Sequence, residues 1–142
     1  MFKKMFKKEK KENSDYKNIL VAALLIHAAK VDENYSDIEK KIIKEALINL
    51  NNINSDQAEE LMKLAEKKEE ESNQMLEFTR EIKKHPMEFR LKIIEIIWKI
   101  VYSDGASDNY ESNLVRRLCG LLYVSDRDSG TIKSKVQKNI IK

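Results

Sequence analysis

The feature that most constrains this chain is a segment that occurs twice, 72 residues apart and without a gap. In each copy an apolar run leads into an acidic turn, and an amphipathic stretch follows. The first acid of the turn, Asp32 or Asp104, recurs at the same place, and so does the glutamate seven positions later, Glu39 or Glu111. Helical periodicity explains why two buried helices look alike, but it does not explain why both acids recur. The pattern therefore indicates a duplicated helix–acidic turn–helix unit.

Glycine and proline are scarce, since the 142 residues include 3 glycines and 1 proline. Helices tolerate neither residue well, whereas sheets with tight turns usually contain both. Apolar residues make up 42% of the chain and charged residues 36%, which is typical of a globular domain with a charged exterior. We therefore expect an all-α fold, a compact single-domain bundle of about seven helices in which the duplicated unit is an internal pseudo-repeat.

Capping residues and apolar spacing predict the helix boundaries. Ser36 begins a capping box with Glu39, and Pro86 suits the first turn of a helix. The first and fifth helices are apolar around most of their circumference, so we expect both at the centre of the bundle. Counted from the cap residue, the predicted helices are 14–31, 36–50, 55–71, 73–84, 86–103, 107–122 and 125–138.

The second helix has apolar residues at alternating spacings of three and four, which predicts one buried face. We also expect His27, Trp98 and Cys119 in the core, as a hydrogen-bonded histidine, a buried indole and a small buried thiol. The predicted face of the second helix consists of Ile38, Ile42, Ile43, Ala46, Leu47 and Leu50.

The basic charge of the chain is concentrated at its N-terminus. Residues 1–12 contain six lysines and two glutamates, and the remainder is close to neutral. A broad nucleic-acid-binding face needs basic residues clustered on the folded surface, so we do not expect a nucleic acid as partner. We assign residues 1–13 to a basic flexible tail and residues 14–142 to the helical domain.

The tail also supports a second interpretation. Met1, Phe2, Met5 and Phe6 lie at helical spacing between lysines, which is the pattern of an amphipathic anchor on an anionic membrane surface. A solubilising tail is the alternative, because short isolated helices are marginal in water. The anchor hypothesis makes the protein a membrane-peripheral adaptor with contact through residues 1–12.

The cysteine count favours a reducing compartment, because Cys119 has no second cysteine with which to form an internal disulfide. No apolar region directly follows the N-terminal basic residues, so we do not expect a secretory signal. The longest apolar run, residues 19–26, is shorter than the ~20 residues of a membrane span. We expect a cytoplasmic protein.

Three explanations remain open for the acidic turns. In the first, the two glutamates cap the following helices, and the two aspartates accept backbone N–H groups across the turns. In the second, the turns bind Ca²⁺, Mg²⁺ or Mn²⁺, because carboxylates and turn carbonyls are the hard oxygen ligands that these ions prefer. In the third, the acids form a docking surface for a protein partner without a metal.

The metal hypothesis requires the two turns to lie close together. If the first and fifth helices pack side by side, four carboxylates form one cluster, and their repulsion favours a cation. An EF-hand is excluded, because neither turn has glycine at loop position 6 or glutamate at position 12. The candidate metal ligands are Asp32, Glu39, Asp104 and Glu111, with Asp37 and Asp108 at the rim.

The sequence offers little that points to catalysis. It contains no Ser/His/Asp or Cys/His arrangement, no phosphate-binding loop and no zinc-ligand spacing. We therefore expect a binding module and not an enzyme. A metal-dependent hydrolase centred on the acidic turns is the remaining catalytic alternative.

The two turns resemble the pattern of the tellurite-resistance TerB family, which also includes the N-terminal domain of DjlA-type co-chaperones. In that pattern an apolar helix runs into Ala-x-x-Asp-Gly-x(5)-Glu, an amphipathic helix follows, and the unit is present twice. The corresponding residues of this chain are 29–39 and 101–111. Residues 116–125, RRLCGLLYVS, resemble the ending that precedes the last helix of the family.

The resemblance implies a compact all-α domain with an acidic, metal-binding surface. It also implies a role in bacterial stress or metal-resistance systems at the inner face of the membrane. By position, the residues that correspond to the family's acidic site are Asp32, Glu39, Asp104 and Glu111. The first turn departs from the pattern, because Glu33 stands where the family has glycine. Glutamate is costly there if that position needs a positive φ.

Overall fold

The computed structural model describes the backbone of residues 2–30, 35–72, 75–103 and 109–141, and the side chains of residues 16–30, 35–72, 75–103 and 113–138. Within these ranges the chain forms seven helices and no strand, which confirms the predicted all-α fold. The helices are α1 (Phe2–Lys30), α2 (Asp37–Asn51), α3 (Ser55–Glu71), α4 (Leu76–Lys83), α5 (Met87–Val101), α6 (Asn109–Leu121) and α7 (Asp126–Ile141).

The largest difference from the predicted boundaries is at the start of α1. This helix begins at Phe2, and not at the predicted cap Ser14 or Asp15. Taken alone, residues 1–12 would form only a short isolated helix, which needs its own nucleus. Because they continue a longer helix, one nucleus serves both parts. The division between a tail and a domain at residue 13 stays a prediction.

Local capping chemistry sets several other boundaries. Ser125 caps α7 as predicted, since its Oγ accepts a hydrogen bond of 3.0 Å from the Asp128 N–H. The cap of α3 is Asn54 and not the predicted Ser55, because Asn54 and Gln57 exchange hydrogen bonds of 2.8 and 3.0 Å. Pro86 precedes the first residue of α5. The predicted cap of α6, at residue 107 or 108, lies outside the described residues.

Helices α1 and α5 form the centre of the bundle, as predicted. Helix α1 packs against α2, α3, α4 and α5, and α5 packs against α1, α2, α6 and α7. Residues 20–26 of α1 are all buried, and Trp98 of α5 is 4% exposed. Cys119 of α6 is also buried, and burial raises the pKa of its thiol.

Two predictions about burial hold only in part. The His27 side chain is 37% exposed and lies beside Glu69 of α3, at the edge of the core. The predicted buried face of α2 is only partly buried: Ile43 and Leu47 are fully enclosed, whereas Ile38 is 62% exposed. The apolar arc of α2 is therefore wider than the strip that its neighbours cover.

Among the helices of the described residues, none combines the length and the apolar composition needed to cross a bilayer.

Candidate functional site

The structure describes only part of the predicted acidic site. The side chains of Asp37 and Glu39 are described, and Glu111 is described only as a backbone position in α6. Asp32, Asp104 and Asp108 lie outside the described residues. The proximity of the two turns, on which the metal hypothesis depends, therefore stays a prediction.

Glu39 forms the predicted capping box at the start of α2. Its N–H donates to Ser36 Oγ at 3.2 Å, and its Oε1 accepts from the Ser36 N–H at 3.1 Å and from Ser36 Oγ at 3.0 Å. The residue is 4% exposed. These hydrogen bonds confirm the capping explanation for Glu39. A carboxylate at this position also faces the positive end of the helix dipole.

Asp37 differs from Glu39 although it is only two residues away. It is the first residue of α2 and is exposed, so its carboxylate faces solvent at the helix N-terminus. Within the described part of the chain, no group of three or more His, Cys, Asp or Glu side chains is arranged to hold a metal ion. The described residues thus contain one capping acid and one exposed acid of the six proposed ligands.

The entry to the first turn is bound to α3 by polar side-chain contacts. Lys30, the last residue of α1, places its Nζ 2.8 Å from Glu69 Oε2. His27 Nδ1, one helical turn earlier, lies 3.2 Å from the other oxygen of the same carboxylate. The Glu69 side chain is 11% exposed, so solvent screens these contacts less than it screens a surface ion pair.

The exit of the turn is bound to the same part of α3. Tyr35 Oη donates a hydrogen bond of 2.8 Å to Glu66 Oε1. The ammonium groups of Lys40 and Lys30 lie 4.8 and 5.8 Å from the centre of the Tyr35 ring, within the range of cation–π attraction. Burial raises the pKa of Tyr35 well above its ordinary value, and the hydrogen bond and negative charge of Glu66 raise it further.

These contacts hold both ends of the first acidic turn on one surface. Glu66 and Glu69 are three residues apart on α3, so they lie on the same side of that helix. The turn residues 31–34 are connected at one end to Lys30 and at the other to Tyr35. We call this set of contacts, formed by His27, Lys30, Tyr35, Glu66 and Glu69, the α3 anchor.

The entry to the second turn is also fixed by specific contacts. Tyr102 follows α5, and its Oη accepts a hydrogen bond of 2.8 Å from Gln137 Nε2 of α7. Its ring stacks on Trp98 with 5.7 Å between the ring centres. The next residue, Ser103, donates from Oγ to the Ile100 carbonyl oxygen at 2.7 Å. The chain therefore enters this turn from a position defined by α5 and α7.

No pattern in the sequence predicts the α3 anchor. Its partners are between 31 and 42 residues apart in the chain, so no local spacing links them. The acids of α3 occur in a run of charged residues that is typical of a solvent-exposed face. The one available signal was Tyr35, an aromatic residue between two polar ones next to an acidic turn.

These features define the class of protein as a small all-α domain. It has a duplicated helical unit, and specific side-chain contacts hold residues that flank the two acidic turns. The chain belongs to the TerB family: the family model described as "Tellurite resistance protein TerB" matches residues 18–134. The resemblance inferred from the acidic turns is thereby confirmed. Comparisons with curated proteins and with solved structures give no match.

Proposed function

We propose that this chain is a non-catalytic binding or scaffold module that docks a divalent cation or a protein partner through its paired acidic turns. The physiological setting that we propose is stress or tellurite resistance, in the cytoplasm or at the inner face of the membrane. The observation that carries the proposal is the α3 anchor, which fixes both flanks of the first turn.

A docking site gains affinity when its groups are held in place before the ligand arrives, because less conformational entropy is lost on binding. The α3 anchor supplies this for the first turn, and the contacts of Tyr102 supply it at the entry to the second. Contacts of this kind are not needed for a turn that only connects two helices. They support the idea that the turns present their acids in a defined geometry.

The acids divide into two roles within this proposal. Glu39 serves the capping box, so we assign it mainly to holding α2 in place. The exposed Asp37, together with Asp32, is the better candidate for contact with a ligand at the first turn. By the internal repeat, Asp104 and Glu111 take the positions of Asp32 and Glu39 at the second turn, and Asp108 stands where the first unit has the cap residue Ser36. A cation bound between the turns would offset the repulsion of these carboxylates.

The metal version is tested by following the melting temperature of chelator-treated protein during titration with Ca²⁺, Mg²⁺ or Mn²⁺. Binding to the native state alone raises the melting temperature with ion concentration, so we expect a rise of several degrees above an ionic-strength control. The variant Asp32→Asn/Asp104→Asn should lose this rise. The matched control Glu59→Gln/Glu60→Gln, which neutralises two exposed acids of α3, should keep it.

An equal response in both double variants would exclude the paired turns as the cation site. If none of the three ions changes the melting temperature of the wild-type protein, the metal version is wrong. In the partner version, the carboxylates of the turns would then contact the partner directly, without a metal ion. It predicts that a partner which binds the wild-type protein loses affinity for Asp32→Asn/Asp104→Asn and keeps it for the Glu59/Glu60 control.

A second candidate function is that of a membrane-peripheral adaptor. The observation that favours it is that the backbone is helical from Phe2 onwards, which is the conformation that an amphipathic anchor requires. We expect the full chain to sediment with vesicles that contain anionic lipid, and Phe2→Ser/Phe6→Ser to sediment much less. Since this variant keeps every lysine, equal sedimentation would show that the apolar residues do not act as an anchor.

A further inference from the structure

A groove of about 290 Å³ lies between α2 and α5. Its apolar surface comes from Ile42, Ala46 and Leu50 of α2, which are half-buried against the core, and from Ile96 of α5, which is part of the core. The polar residues that complete the lining are Glu45, Asn49, Lys92, Glu95 and Lys99. None of these residues belongs to the acidic turns, so the groove is a separate surface.

The groove exists because α2 has more apolar surface than the core uses. Ile43 and Leu47 fill the core positions of this helix and are fully buried. Ile38, Ile42 and Ala46 repeat every four residues and so form a second row on a neighbouring side. Two of the three line the groove, and the 62% exposed Ile38 continues the row by one turn.

The two rims of the groove carry different charges. On the α5 side, Lys92 and Lys99 are exposed and two helical turns apart, and no described carboxylate lies within ion-pair distance of either ammonium group. Glu95, between them, is 3.8 Å from Lys135 of α7, which offsets its charge. On the α2 side, the exposed Glu45 carries the opposite sign. The α5 rim therefore attracts acids, and the α2 rim attracts a base.

We propose that this groove binds one amphipathic helix of a protein partner. Its apolar residues, at spacings of three and four, enter the groove between α2 and α5, in the manner of other helix-in-groove complexes. Acidic residues on one flank face Lys92 and Lys99, and a basic residue on the other flank faces Glu45. The groove is thus a second partner site, separate from the acidic turns.

The test uses the full-length ¹⁵N-labelled protein and two designed helical peptides. Both peptides have the same apolar residues at spacings of three and four, but one has an acidic flank and the other a basic flank. We expect the acidic peptide to shift the amide resonances of Ile42, Ala46 and Ile96 and to bind at least tenfold more tightly. Higher salt should reduce this difference, because exposed charges are screened.

Charge reversal on the α5 rim gives the sharper comparison. In Lys92→Glu/Lys99→Glu we expect the preference to change to the basic peptide. The matched control Lys63→Glu/Lys67→Glu has the same change of net charge at exposed positions of α3 outside the groove, and it should keep the preference for the acidic peptide. Ala46→Arg places a long side chain in the groove and should weaken the binding of both peptides at least tenfold. Amide spectra show whether each variant is folded.

Three results would overturn the proposal. One is that neither peptide shifts the groove resonances at about 1 mM, a concentration that detects even weak binding. Another is that the charge reversal and its control behave alike. The third is that anionic vesicles, and not the peptides, shift the groove resonances, which would assign the lysine rim to a lipid surface. The groove contains no residue of the acidic turns, so peptide binding to the groove should be the same with and without chelator. Failure of the groove proposal can therefore be distinguished from failure of the acidic-turn proposal.

Discussion

At the scale of single residues, Ser36 shows how one side chain sets the start of a helix and the position of an acid. Its Oγ accepts from the Glu39 N–H and donates to the Glu39 carboxylate, while its own N–H donates to the same oxygen. These contacts satisfy backbone donors that the first turn of α2 leaves without partners. They also hold the Glu39 carboxylate in a buried position at the edge of the first acidic turn.

We predict that Ser36→Ala lowers the free energy of unfolding by about 1 kcal/mol, the usual cost of losing an N-terminal cap. The matched variant Ser55→Ala makes the same change at the start of α3, where Asn54 and not Ser55 is the cap. It should change stability by less than about 0.5 kcal/mol, as expected for a surface substitution. Urea unfolding measures both, and equal losses would contradict the assignment of the two caps.

The residue scale is also where sequence reasoning was most reliable. The Ser36-x-x-Glu39 pattern predicted its capping box because both partners lie within one turn of the same helix. The cap of α3 was placed one residue late, since Asn54 and Ser55 are both good caps and the residue three positions later decides between them. Gln57 completes the box with Asn54, so the deciding signal was present in the sequence.

At the scale of helices, α3 acts as the support of the first acidic turn. Helix α1 reaches it through Lys30 and His27, and the residue that follows the turn reaches it through Tyr35. The apolar spacing of α3 predicts a helix with Ala58, Leu61, Met62 and Ala65 inward. Three of these residues are buried, and Leu61 is half-buried against the core. The sequence could not predict which acids of α3 contact the residues that flank the turn, because that depends on how α1 and α3 are rotated against each other.

Tyr35 gives this support a dependence on pH. Its pKa in the folded protein is raised above the ordinary value of 10.0, chiefly by burial and then by Glu66. The folded state therefore favours the neutral phenol, and this contribution is complete below pH 10 and is lost as the pH rises beyond it. We predict that the unfolding free energy of the wild-type protein falls more steeply above pH 10 than that of Tyr35→Phe.

Near pH 7 the same variant should be less stable by about 1–2 kcal/mol, because it loses a hydrogen bond to a charged acceptor. Chemical unfolding between pH 7 and 11 measures both effects. Identical pH profiles for the two proteins would contradict the proposed environment of Tyr35. If Tyr35→Phe is less stable near pH 7 but has the same pH profile as the wild-type protein, the hydrogen bond stabilises the fold but does not make its stability depend on pH.

At the scale of the whole molecule, the apolar helices α1 and α5 organise the surfaces that we assign to function. They pack against each other at the centre, and each leads into one acidic turn. Their central position was predictable from composition, since both are apolar around most of their circumference. The groove beside α5 was not, because the spacing of α2 predicts an apolar face without showing how much of it the neighbouring helices cover.

The proposed shared site requires the two acidic turns to lie together on one side of the bundle. The most direct test is the distance between spin labels at Asn34→Cys and Ser107→Cys in a Cys119→Ala background, measured by pulsed electron spin resonance. We predict a single distance below about 20 Å, roughly half the diameter of a compact domain of this size. A single distance of about 35 Å, close to the full diameter, would place the turns at opposite ends and contradict a shared site.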